Sequence, residues 1–360
     1  MTLQQDELVV TLVASHGRFM DLHSEMKSTK DKLRGQFAES EEMIDMLAMV
    51  KHRGAGNGFF NSPEGVLALP GWLFVCDTGN DRVVAIPRPT ESTEPQPAWL
   101  IEPCNPLVHR APKGVELSQD RPEESEVARV KVACHGGCWD VILKSDGSRL
   151  DKGNFMSVPF EESRQGGRPC ALAFDPRRHA MFTAFSCTGL LMVLDEAPCF
   201  FTVQGRDITE MIVLPEPEPS FHTSLVVCQG NTMTFVHIND DDPPEFGRCI
   251  QTEPSTIISG LTHYMHHGVS HYIAVDNTNH RLMFYDQHWT RVACFGTQGN
   301  GVDQFHSPTK VCVDTEGHIY VADTGNHRVQ VLLLEPPLTK AVGHKRKCVE
   351  PPQPHLSTGV

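Results

Sequence analysis

The chain lacks any long apolar run; its longest are far too short to cross a bilayer. It is also short of positive charge, with 31 Lys+Arg against 45 Asp+Glu and a net charge of -14. A field of that sign repels phosphate backbones at long range, so nucleic acid would need a local basic face. The N-terminal stretch "MTLQQDELVVTLVASHG" has no basic leader start, and the cysteines form no secretory disulfide framework. Hydrophobic residues make up only 39%, enough for a core of many small strands. These absences predict a soluble, cytoplasmic chain with no membrane association.

What is present is turn chemistry. The 28 Gly and 26 Pro are scattered, as in a turn-rich all-β protein. Of the 12 cysteines, Cys76, Cys170, Cys228, Cys294 and Cys312 sit in apolar strand-like runs, where Cys acts as a small buried hydrophobe.

One phrase occurs twice. "LFVCDTGNDRVVAI" spans 73–86 and "IYVADTGNHRVQVL" spans 319–332. A third copy, "YIAVDNTNHRLMFY", spans 272–285, and weaker cousins lie at 130–143, 181–194 and 225–238. Each has two β-rich halves around a short polar or small-residue turn, which predicts a hairpin. The turn positions are Asp77, Cys134, Phe185, Gln229, Asp276 and Asp323, with successive gaps of 57, 51, 44, 47 and 47 residues. That is the blade-sized period of a propeller. The expectation is an all-β fold of six blades, closed into a ring that protects strand edges.

The segments before the hairpins repeat as well. "GNGFFNSPEGVLAL" (56–69) aligns with "GVDQFHSPTKVCVD" (301–314), matching Phe60 with Phe305 and Pro63 with Pro308. "GGRPCALAFD" (166–175) puts Pro169 in the same role. Pro cannot donate to a ladder, so it marks the start of an inner strand. "DTGNHRVQV" with an upstream "F-x-S-P-x-G-V" resembles the NHL-repeat family, whose repeats each build one four-stranded blade. The resemblance implies a six-bladed NHL-type β-propeller over 46–334, similar to the NHL domain of tripartite-motif proteins but with no RING or B-box.

Residues 1–45 are expected to be a helical or linker segment. Phe19, Leu22, Met26, Leu33 and Phe37 have helix-compatible spacing, as a helix packing on the ring or a coiled-coil remnant. The alignment sets "MLAMV" (46–50) opposite "VACFG" (292–296), an outermost strand. It would then close the ring beside "RVQVLLL". The proline-rich stretch 88–126 is expected to be an insertion, a loop or partner-binding strip. Residues 335–360 are expected to be a disordered tail.

In the repeated turns, Asp77, Asp276 and Asp323 are placed to accept backbone N–H bonds, and Gly79 and Gly325 to supply φ > 0. Asn80, Asn279 and Asn326 would cap the same turns. Arg82, Arg281 and Arg328 would bridge to an acid or carbonyl of a neighbouring blade. All eleven are expected to be structural rather than catalytic.

Two clusters raise the question of chemistry. "CHGGC" holds Cys134, His135 and Cys138, but a zinc site wants four convergent ligands and there is no second pair nearby. "HYMHHGVSH" holds His263, His266, His267 and His271 on an inner strand. Relatives in the wider propeller superfamily include metal-dependent lyases and lactonases, so the resemblance implies a metal-dependent lyase or hydrolase as one alternative. Yet the other blades offer no matching His set. RNA binding is a second alternative from the resemblance, and "DPRRHAM" (175–181) is the only tight basic turn in the ring. The expectation is a non-catalytic protein–protein interaction platform holding a protein or peptide on one propeller face, with no metal and no cofactor. An adaptor or scaffold in ubiquitin-related or regulatory complexes is the form the family implies.

Overall fold

A computed structural model describes residues 9–16, 60–87, 99–101, 110–117, 126–135, 137–144, 149–150, 169–186, 189–194, 197–203, 207–216, 221–239, 242–266 and 268–335. Nearly all of the secondary structure among the described residues is strand. The only helical turns among the described residues are Thr78–Asn80 and Thr324–Asn326.

Among the described residues, six four-stranded antiparallel sheets account for almost every strand. The first runs Gly65–Leu69, Trp72–Asp77, Arg82–Pro87, Trp99–Ile101. The second runs Arg110–Leu117, Glu126–His135, Gly137–Lys144, Arg149–Leu150, and the third Pro169–Asp175, Ala180–Phe185, Gly189–Leu194, Ala197–Thr202. The fourth runs Glu210–Val213, Thr223–Gln229, Thr232–Ile238, Glu245–Gln251, and the fifth Ile258–His266, Val269–Asp276, Arg281–Tyr285, Arg291–Phe295. The sixth takes Val311–Val313, His318–Asp323 and Arg328–Glu335, and completes itself with Val9–His16. All six expected hairpins are there, as the second and third strands of the six sheets.

Packing orders the sheets in a cycle. The first-listed strands of successive sheets touch one another in turn, and that of the sixth touches that of the first. One apolar cluster fills each gap. Phe74, Cys76 and Val83 of the first sheet meet Val115, Val130 and Val132 of the second. Phe60, Leu73 and Val84 meet Tyr320, Val329 and Val331 across the gap between first and sixth. The second strands are buried on both faces, so Trp72–Asp77 is covered along its whole length. That explains why "WLFVCD" reads as a continuous apolar run rather than an alternating one.

The N-terminal expectations need correction. Val9–His16 is a strand, paired antiparallel with Arg328–Glu335 from Val9↔Glu335 to His16↔Val329. The ring-closing strand is therefore this one and not "MLAMV", which lies outside the described residues, as do 17–45 of the expected helical segment. The apolar β-branched run "VVTLVASH" satisfies the open edge of the sixth sheet. The boundary at 46 fails for the same reason, and Glu335 belongs to the last strand rather than to a tail.

The stretch 88–126 is not a simple insertion either. It supplies the outer strand of the first sheet, Trp99–Ile101, and the inner strand of the second, Arg110–Leu117. Every hairpin-to-hairpin interval must hold an outer and an inner strand, so much of the 57-residue gap is ordinary repeat.

Candidate functional site

The repeated turns are built around a buried carboxylate. Asp77 is fully buried. Its Oδ1 accepts the backbone N–H of Asn61 at 2.6 Å; its Oδ2 accepts Asn80 Nδ2 at 2.8 Å and Arg82 Nε at 2.7 Å. Asp323 repeats this with the His306 N–H at 2.7 Å, Asn326 Nδ2 at 2.9 Å and Arg328 Nε at 2.6 Å. Asp276 does so with Asn279 Nδ2 at 2.8 Å and Arg281 Nε at 3.0 Å, and Thr256 Oγ1 adds a bond at 3.1 Å. Each aspartate thus ties its own turn to the segment that leads into its own sheet.

Two assigned roles change. Gly79 and Gly325 do not take positive φ; that conformation belongs to the residue two further on, Asp81 (φ 52) and His327 (φ 55), with His280 (φ 55) in the fifth sheet. The glycines are required by close approach. A Cβ on Gly79 would lie 2.6 Å from the Asn61 carbonyl oxygen, and one on Gly325 would lie 2.6 Å from that of His306. The arginines pair first with their own aspartates rather than with a neighbouring sheet. Beyond that, Arg281 reaches Glu253 Oε2 at 3.2 Å, and Arg328 donates to the carbonyls of Asn300, Gly301 and Gln304. These partners lie in the segments connecting one sheet to the next.

The remaining letters of the phrase join neighbouring sheets. Thr78 Oγ1 donates to the Pro112 carbonyl at 2.5 Å, Asn277 Nδ2 to that of Pro308 at 2.9 Å, and Thr324 Oγ1 to that of Pro63 at 2.6 Å. All eleven repeat residues are thereby engaged in holding turns and sheets together.

The cysteine and histidine clusters are described in part, His267 lying outside the described residues. Cys134 and Cys138 are buried on facing strands, and Cys134 Sγ donates to the Gly137 carbonyl. His263 Nε2 lies 3.2 Å from Ser270 Oγ, and His271 stacks on Tyr264. Among the described residues no three His, Cys, Asp or Glu side chains are placed to share a metal ion. In the basic turn, Arg177 forks onto Asp175 with Nε to Oδ1 and Nη2 to Oδ2, both at 3.0 Å.

A site that sequence reasoning passed over lies where the six inner strands converge. They line a cavity of about 180 Å³. Strand register makes Gly65, Gly114, Ala171, Glu210 and Gly260 equivalent, each opposite the residue one before its turn position. Lys310 is the sixth, its carbonyl accepting the Ala322 N–H. Four of the six have little or no side chain. The other two, Glu210 and Lys310, form an ion pair, their side chains 7% and 12% exposed. They reach one another past Gly260, whose Cβ would collide with the Thr309 carbonyl oxygen at 2.6 Å.

Glu116 stands two residues beyond Gly114 on the same side of its strand. Its Oε1 accepts the Leu117 backbone N–H at 2.8 Å. Burial pushes its carboxyl up to about 7; the charge of Glu210 adds to this, while Lys310 opposes it. Burial also raises the Glu210 carboxyl, against the pull of Lys310. The signal was within reach: the alignment of "SPEGVLAL" with "SPTKVCVD" sets Lys310 against Gly65, a charge where the repeat carries a glycine.

This geometry is that of the β-propellers. A protein of unknown function from Bacteroides thetaiotaomicron superposes with a TM-score of 0.53 at 13% identity, covering 78% of this chain and 71% of that one. A streptogramin B lyase superposes at 0.52 and 9%, covering 77% and 94%. The β-propeller domain of Cps50 (Swd1) from Myceliophteria thermophila does so at 0.51 and 9%, covering 77% and 83%. At such identities the likeness is one of fold. In sequence, residues 305–332 match the NHL repeat family model, so the chain carries an NHL repeat in the connection and hairpin of its sixth sheet. No curated protein matches the chain in sequence.

Proposed function

We propose that the chain is a six-bladed NHL-type propeller serving as a non-catalytic platform for a protein or peptide partner. The observation that carries this is a set of exposed apolar side chains, Phe246, Ile257, Met265, Val269, Val292 and Val302. They belong to the fourth and fifth sheets and their connections. Phe246 and Met265 are the most exposed, at 51% and 57%. Apolar groups gathered on one sector of a rigid ring mark a contact surface better than single scattered ones do. The outer strand Glu245–Gln251 in this sector is exposed along almost its whole length, leaving a sheet edge able to take a partner strand.

An adaptor or scaffold role in a ubiquitin-related or regulatory complex, in the cytoplasm, is the form of this function that the repeat family suggests. The RNA alternative loses support from the engagement of Arg177 by Asp175.

The test is affinity capture with the intact chain and with a Phe246→Asp, Met265→Asp double variant. Both positions are exposed, so the variant should keep its fold and lose its partner. A partner retained by the folded double variant would refute the assignment of this sector. Deletions in 88–126 must spare Trp99–Ile101 and Arg110–Leu117, because those residues are strands of the ring.

A further inference from the structure

We propose that the central cavity is a binding site for an organic cation, an alkylammonium or guanidinium group, received by the carboxylate of Glu116. The cavity is separate from the exposed sector on the fourth and fifth sheets, so this inference stands whether or not that sector binds a protein.

The first argument is space. Inner-strand residues including 65–68, 114–116, 210–212 and 310–313 enclose a cavity of about 180 Å³. That far exceeds the roughly 10–15 Å³ needed to hold one water. The second argument is charge. The walls hold two carboxylates, Glu116 and Glu210, against one ammonium, Lys310. Lys310 is committed to Glu210. Among the described residues Glu116 takes one N–H bond, from Leu117 on its own strand. With both carboxyls ionised the site carries one negative charge in excess. A buried carboxylate without a counterion is costly, and an incoming cation removes that cost.

The third argument is the rest of the wall. Leu67 and Ile212, each two residues along the same side of its strand from Gly65 and Glu210, are apolar and suit the methylene stem of such a cation. A free metabolite amine or the side chain of a lysine or arginine in a bound peptide would present the same head and stem. Lys131 lies opposite Glu116 in the strand register.

The experiment is titration calorimetry on the full chain at pH 8 with butylammonium, butylguanidinium and butanol. The cations are expected to bind at least tenfold more tightly than butanol, and Glu116→Gln to weaken the cations at least tenfold while leaving butanol unchanged. Leu67→Lys places an ammonium at the equivalent position of the neighbouring sheet, and should abolish cation binding. This second variant keeps the test decisive if Glu116→Gln fails to fold. A Lys131→Gln variant should bind the cations at least as well as the parent. Competition between butylammonium and an acetylated, amidated lysine peptide would assign the source to a peptide. Binding of the free amines alone would assign it to a metabolite, and either result supports the site. Equal binding of butanol and butylammonium, or cation binding indifferent to Glu116→Gln, would overturn it.

Discussion

His327 Nδ1 accepts a hydrogen bond from the Ser62 backbone N–H at 2.9 Å, although the two residues are 265 positions apart. The same bond recurs where sheets are neighbours in sequence. His280 Nδ1 accepts the Ser307 N–H at 2.9 Å, and Asp81 Oδ1 accepts the Ala111 N–H at 2.7 Å. Every donor has positive φ (Ser62 47°, Ala111 48°, Ser307 46°) and precedes a proline. Every acceptor is itself left-handed, at the end of its turn. The join between sixth and first sheets is therefore the same as the joins within the series.

That equivalence explains the single letter by which "DTGNDR" and "DTGNHR" differ. Asp and His both tolerate the left-handed conformation and both supply an acceptor. His327→Asp should keep the bond and change stability by less than about 0.5 kcal/mol. His327→Ala should lose the bond and bear the full left-handed cost, together about 1–3 kcal/mol. Urea unfolding of the two variants checks this, and equal losses would show that the acceptor is unimportant.

A histidine that accepts through Nδ1 must be neutral with its proton on Nε2. Burial, and then the neighbouring His306, hold His280 below the ordinary imidazole range. The folded state thus binds fewer protons at this site than the unfolded state. Its contribution is complete above about pH 6.5 and is lost as the pH falls through the unfolded value toward the folded one. His280→Asp, which copies Asp81, should flatten that part of the stability profile below about pH 6.5. A profile as steep as that of the parent would count against this role for His280.

Asp323 is the most heavily used side chain of its turn, accepting from His306, Asn326, Arg328 and Gln330. Arg328 is only 3% exposed, so removing its carboxylate strands a buried guanidinium. Asp323→Ala should therefore cost about 3–5 kcal/mol. Asp323→Asn keeps an acceptor and should cost less. Chemical denaturation orders the two, and a cost below about 1 kcal/mol for the alanine variant would contradict this account of the turn.

Glu116 titrates in the opposite sense from His280. Its carboxyl is raised to about 7, chiefly by burial, so the folded state holds a proton there that the unfolded state has released. Stability from this group is complete below about pH 4.5 and is lost as the pH rises through about 7. Glu116→Gln should remove this slope and stabilise the chain at pH 8 by up to about 3 kcal/mol. Thermal unfolding at pH 5 and pH 8 would expose the sign. A variant equally destabilised at both would show that Glu116 is needed as a carboxylate for folding.

The hairpins were legible because their turns carry chemistry that local backbone geometry demands. Asp77, Asn80 and Arg82 fall at fixed offsets, and the repeat of that offset set the period. What was misread depends on distant partners. Gly79 suggested a special φ, but its need arises from the Asn61 carbonyl 18 residues back. Glu210 and Lys310 are 100 residues apart, and only cyclic packing brings them together. The closing strand Val9–His16 has no repeat turn to mark it, because it is a detached fourth strand.

That detachment gives the last prediction. The sixth sheet holds its third strand, Arg328–Glu335, between His318–Asp323 and Val9–His16. Deleting residues 1–16 would remove the outer pairing from Val329 to Glu335 and leave an open hydrogen-bonding edge next to the ring's junction. Melting temperature should fall by several degrees, and the truncated chain should associate through the freed edge. A synthetic peptide with the sequence VVTLVASH, added in trans, should restore both by strand addition. If the truncated chain melts like the parent and stays monodisperse, the N-terminal strand does not close the ring.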